Sequence, residues 1–127
     1  PLYRRALAID ERTLGPEHPS VATTLNNLAG VLKAKGDYTA AERLYRGALA
    51  VNEKALGPEH PNVAAGLNNL AMLFRDKEDH SAAEPLLRRA LAIYTKTLGP
   101  NHPDTRLVRE NLAVLEKASS PTNSKQP

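Results

Sequence analysis

Leu14-Gly15-Pro16-Glu17-His18-Pro19 recurs as Leu56-Gly57-Pro58-Glu59-His60-Pro61 and, with one change, as Leu98-Gly99-Pro100-Asn101-His102-Pro103, each time at an offset of 42 residues. Residues 1–42 and 43–84 are identical at roughly 25 positions, and residues 85–117 continue the pattern. Self-similarity at a fixed period marks a repeat array, in which each unit buries its apolar face by stacking on its neighbour. Such an array has a long surface rather than one closed core around a pocket, and its usual work is to hold something along that surface.

Each unit reads as two helices. In the first full unit Pro19 sets a helix start, because proline is tolerated in the first turn. Val21, Leu25, Leu28, Ala29 and Leu32 then fall at helical spacing on one apolar face. Gly36-Asp37 breaks the helix. A second helix follows, with Ala40, Ala41, Leu44, Tyr45, Ala48, Leu49 and Val51 on its inner side. Gly57-Pro58 ends it, glycine by taking a left-handed cap and proline by forbidding continuation. The expected organisation is an array over residues 1–117. It comprises a lone second helix at 1–14, full units at 19–56 and 61–98, and a capping first helix at 103–117, six helices in all. The polar, aperiodic segment 118–127 is expected to be disordered.

A period of 42 fits either the HEAT and armadillo class or a lengthened tetratricopeptide unit. The internal pattern decides between them. Leu25-x2-Leu28-Ala29-x2-Leu32 followed by Ala41-x3-Tyr45, and Leu67-x2-Leu70-Ala71-x2-Phe74 followed by Ala83-x3-Leu87, follow the tetratricopeptide signature. With Leu-Asn-Asn-Leu-Ala at 25–29 and 67–71, Ala-Ala-Glu at 40–42 and 82–84, and the recurrent link, residues 1–117 resemble the repeats of kinesin light chains and nephrocystin-3-like proteins. The resemblance implies an all-α, right-handed superhelical solenoid of antiparallel helix pairs whose first helices line a concave face. It also implies a protein-binding role, in a cytoplasmic cargo adaptor or in the sensor arm of a larger signalling protein.

Composition agrees with a helical array and excludes several functions. Of the 127 residues 41% are hydrophobic, with one phenylalanine and no tryptophan, which suits close helix packing and argues against an all-β domain. The absence of cysteine removes disulfides, thiolate metal sites and a cysteine nucleophile. No apolar run approaches the length that spans a bilayer. The start of the chain does not look like a signal peptide and falls inside a repeat, so the sequence reads as a piece of something longer. Seventeen basic and 14 acidic residues leave a net charge of +3, too diffuse to imply nucleic acid, and a stacking platform for bases is missing. His18, His60 and His102 recur once per repeat. Equivalent positions in stacked helix pairs sit about 10 Å apart, so they cannot share one ion. They are expected to tie each link to the next helix start. No metalloprotease, nucleophile-elbow or phosphate-loop motif is present, so an enzyme is not expected, nor a cofactor.

The candidate site is a set of polar columns on the first helices. Asn27, Asn69 and Asn111 form one column, and Asn26 and Asn68 another, broken at Glu110. Asparagine is a poor helix-interior residue, so its recurrence asks for a reason. Similarity to kinesin light chains implies that Asn27, Asn69 and Asn111 point into the groove, where an amide can both donate to and accept from an extended peptide. Lys33 and Arg75, with Lys117, form a basic column that suits a peptide carrying carboxylates. The competing readings are an asparagine ladder that only holds the stack, and cations that merely favour the helix C-terminal dipole. Arg4, Arg46 and Arg88 are expected on the outer surface. In the third unit Arg109 replaces Leu67 and Glu116 replaces Phe74, as expected of a terminal cap that marks the end of the parent protein. A structural alternative to peptide binding is self-association through Leu2, Leu7 and Ile9 at the open N-terminal end.

Overall fold

The computed structural model describes residues 18–119, and every element among them is helical. The helices are α1 (Pro19–Ala34), α2 (Tyr38–Leu56), α3 (Pro61–Asp76), α4 (His80–Thr97) and α5 (Pro103–Ser119). The helix expected over 1–14, with Leu2, Leu7 and Ile9, lies outside the described residues. So does the segment beyond Ser119; α5 runs two residues past its expected end at Lys117.

Local chemistry accounts for each boundary. In the recurrent link, Gly57 takes φ +96°, a region that costs a residue with a Cβ. The His60 N–H then donates to Gly57 O at 3.3 Å. His60 is the N-cap: its Nδ1 accepts from Asn62 N–H at 3.0 Å, and Pro61 takes the first helical position, where a missing N–H loses nothing. His18 accepts from Ser20 N–H at 3.1 Å and His102 from Asp104 N–H at 3.0 Å in the same way. The three histidines therefore tie links to helix starts, as their spacing predicted. Among the described residues no cluster of metal-ligating side chains forms.

Within each unit the first helix closes in a six-residue hydrogen-bonded cap. Gly36 N–H donates to Lys33 O and Asp37 N–H to Leu32 O, both at 2.9 Å. Asp37 then turns round and caps α2 by accepting from Ala40 N–H at 3.2 Å. In the next unit Glu78 and Asp79 repeat both bonds at 2.8 Å, with Glu78 held at φ 60° where its counterpart is glycine.

The helices stack in two layers, α1, α3 and α5 in one and α2 and α4 in the other. The core lies between them. α3 is central and buries Val63, Ala64, Gly66, Leu67, Leu70, Ala71, Leu73 and Phe74. α5 buries only Thr105, Val108, Leu112 and Leu115, the side that meets α4. Beside that stripe α5 carries exposed Arg109 and Glu116, where α3 has buried Leu67 and Phe74. Glu116 pairs with Arg88, and the Arg109 guanidinium donates to Pro100 O at 2.8 Å. One unit earlier the same pair of positions does different chemistry: the Arg46 guanidinium lies 5.6 Å from the centre of the Phe74 ring. Arg46 and Arg88 are exposed and pair with Glu42 and Glu84, as expected for the outer column. In the second layer Arg89 joins Glu53 of the preceding unit at 3.0 Å.

Candidate functional site

The side-by-side first helices α1, α3 and α5 present the asparagine and cation columns. Two contacts between them set the register of the face. Asn111 Nδ2 donates to Asn68 Oδ1 at 3.2 Å, and Lys33 Nζ meets Asp76 Oδ2 at 3.3 Å. Each joins a residue of one stripe to a residue of a different stripe on the next helix. Lys33 and Asn68 therefore face the following first helix, while Asp76 and Asn111 face the preceding one. Lys33 shares its stripe with Asn26, two turns before it, rather than with Asn27.

The sequence-predicted residues fall out unevenly. Asn27 is exposed, and Asn69 and Asn111 are half-buried. Asn68 and Asn111 hold each other and so join two units. Lys33 and Arg75 converge on one carboxylate: Arg75 reaches Asp76 Oδ1 at 3.4 Å while Lys33 takes the other oxygen. Two cations on one anion leave that rim positive, with less free charge than a bare basic column. Asp76 was not anticipated. Its signal in the sequence is that it stands where the other units have Ala34 and Ala118.

Between the N-terminal halves of α1 and α3 lies a cleft of about 410 Å³. Ser20, Thr23, Asn26, Asn27, Asn52 and Asn62 line it, with Pro19 and Ala65 as its apolar parts. Asn52 comes from α2 and is only 5% exposed. Its Oδ1 and that of Asn26 are buried and find no hydrogen-bond partner among the described residues. Such atoms are uncommon, because a buried acceptor left unpaired costs its desolvation. Asn52 was missed at the level of sequence. It lies on the inner stripe of α2 with Ala41, Tyr45, Ala48 and Leu49, and a polar residue in line with an apolar stripe was the available sign.

Two buried phenols flank this layer. Burial pushes the Tyr45 hydroxyl above its ordinary pKa of 10.0, and the Asp76 charge adds to the effect. Burial does the same to Tyr94, helped by Asp104.

This two-layer stack of capped helix pairs is a tetratricopeptide array, and the chain belongs to the tetratricopeptide repeat family, whose pattern matches residues 1–46, 20–96 and 67–120. Among solved structures it is similar to BtubC (BKLC) from P. vanneervenii, at 33% identity over 92% of this chain and 47% of that one, with a TM-score of 0.85. It is also similar to a kinesin-light-chain-type protein of Podosopora anserina with nearly identical TPR-like repeats, at 32% identity over 92% of this chain and 56% of that one, with a TM-score of 0.82. The chain thus spans about half the length of these structures. No curated protein matches it. The repeats are of the kinesin light chain kind, and tetratricopeptide repeats generally mediate protein–protein interaction. No helix among the described residues is long and apolar enough to cross a membrane.

Proposed function

We propose that the chain is a protein-interaction module that binds an extended segment of a partner along the concave face of α1, α3 and α5, with a preference for segments carrying carboxylates. The observation that supports this best is the polar cleft between α1 and α3, whose amides and hydroxyls can pair with a peptide backbone. Asn26, Asn27, Asn69, Lys33 and Arg75 are the contact residues. The acidic preference follows from Lys33 and Arg75, which share a single carboxylate and keep net positive charge on the rim. A module of this kind works as an adaptor, without catalysis and in the cytoplasm.

Asn68 and Asn111 favour a different role, because their mutual hydrogen bond fastens one unit to the next. Their part in the groove is structural, and they set the spacing at which the other amides are presented.

The test is an amide NMR titration with a pool of acidic, extended peptides. Shifts confined to residues 23–34 and 65–76 are expected. Asn69→Ala is expected to weaken binding with little loss of stability. A large fall in melting temperature with unchanged binding would assign Asn69 to the ladder instead, and broadening that tracks protein concentration would favour self-association.

A further inference from the structure

We propose that Asp76 is a built-in competitor for the carboxylates of the bound segment, a specificity-determining residue that blunts the acid preference of the groove at the junction of α1 and α3. The inference rests on the reading of this face as a peptide groove. Asp76 is the last residue of α3 and engages both cations that an acidic segment would use. Lys33 Nζ lies 3.3 Å from its Oδ2, and the Arg75 guanidinium lies 3.4 Å from its Oδ1. One carboxylate thus accepts from two cations, which is the arrangement that a carboxylate of the segment would itself make.

The three groups are within reach of a ligand. The side chains of Lys33, Arg75 and Asp76 are 27%, 44% and 28% exposed. Ion pairs in such surroundings are weak and exchange partners readily. Binding an acidic side chain therefore swaps one carboxylate for another on the same cations, and leaves the Asp76 charge beside the newcomer. An uncharged side chain displaces nothing. The groove consequently separates an acidic segment from its amide counterpart less sharply than Lys33 and Arg75 would without Asp76.

The competitor is particular to one junction. The units before and after carry Ala34 and Ala118 at this position. At the next junction the same geometry would bring the counterpart of Lys33, which is Arg75, against Ala118, where no carboxylate is available. Helix chemistry does not ask for an acid here either, since the C-terminal end of a helix dipole disfavours one. What Asp76 does at this place is hold two cations from adjacent first helices.

The probes are N-acetyl-Thr-Glu-Thr-Glu-Thr amide and its counterpart with glutamine for both glutamates. Each is titrated by amide NMR into the whole chain and into its Asp76→Ala and Asp76→Asn variants. The first variant copies the other units, the second keeps the shape of the side chain, and melting curves check that both fold. The acidic peptide is expected to bind either variant about fivefold more tightly than the unchanged chain, with the glutamine peptide binding all three alike. Adding Lys33→Met to Asp76→Asn should remove the gain. In the unchanged chain the Asp76 carboxyl carbon resonance should move with the acidic peptide and stay still with the other. A gain shared equally by both peptides overturns the proposal. Binding of the acidic peptide to the unchanged chain as tightly as to the variants sinks the competitor and leaves the groove standing. Failure of both peptides to bind any of the three proteins sinks the groove and the competitor together.

Discussion

Replacing Glu78 with glycine should stabilise the array by about 1 kcal/mol. Glu78 sits at φ 60° as the left-handed residue that closes α3, where the preceding unit uses Gly36 at φ +85°. Holding a residue with a Cβ in that region costs about 1–2 kcal/mol. A carboxylate at a helix C-terminus adds about 0.3 kcal/mol of unfavourable dipole interaction when exposed, as Glu78 is. Against these gains, glycine widens the unfolded ensemble by about 0.4–1 kcal/mol. Both cap hydrogen bonds come from backbone N–H groups and survive the change, so nothing else is lost. The balance raises the melting temperature by about 4 °C for a chain of this size. Urea titration is the assay: the midpoint should rise with the slope unchanged, which separates a native-state effect from a change in the denatured chain. Gly36→Ala is the mirror experiment and should cost about 1 kcal/mol. A neutral or destabilised Glu78→Gly protein with an unchanged slope would show that the left-handed cap is not strained at this position.

Three further outcomes are expected. Thr105 is fully buried with its Oγ1 unpartnered among the described residues, at a position held by Val21 and Val63 in the other units; Thr105→Val should stabilise by about 1–2 kcal/mol, read as a shift of the thermal midpoint. His60→Ala removes the cap on α3 and should cost about 1 kcal/mol, while His60→Asn, which restores a side-chain acceptor, should recover most of it in the same melt. Tyr45 and Tyr94 ionise above the ordinary pH 10.0, so the unfolded chain releases their protons first; their contribution is intact below pH 10 and is lost as pH rises beyond it. Absorbance titration should show two late phenols, and melting temperature should fall over that same alkaline interval; early titration of both would refute the burial argument.

The parts of this molecule that were legible in the sequence are those made by short-range chemistry. A cap joins residues two to five apart, so Gly36-Asp37, Gly57-Pro58 and the three His-Pro pairs announce helix ends without any knowledge of the fold. The period announces the stack, because a unit that buries one face on its copy must repeat the residues of that face. Arg109 and Glu116 are legible for the same reason, as departures at positions that elsewhere face a second helix. The site was only half legible. The columns could be aligned by counting, but counting does not say which neighbour each member meets. Asn111 reaches Asn68 rather than Asn69, and Lys33 reaches Asp76, because adjacent first helices touch along different stripes.

The sequence by itself therefore determined the helix pairs, their links, the family and the candidate columns, all of which rest on local caps and on identity between units. Only the tertiary structure decided which amides are spent holding the stack and which acceptors are left over. Asn52 and Asn26 lie 26 positions apart on different helices, and their meeting in one cleft depends on how α2 packs beneath α1 and α3. Hydrogen-bond satisfaction is a property of that packing, since an amide has the same donors and acceptors wherever it stands and only its neighbours determine whether they are used.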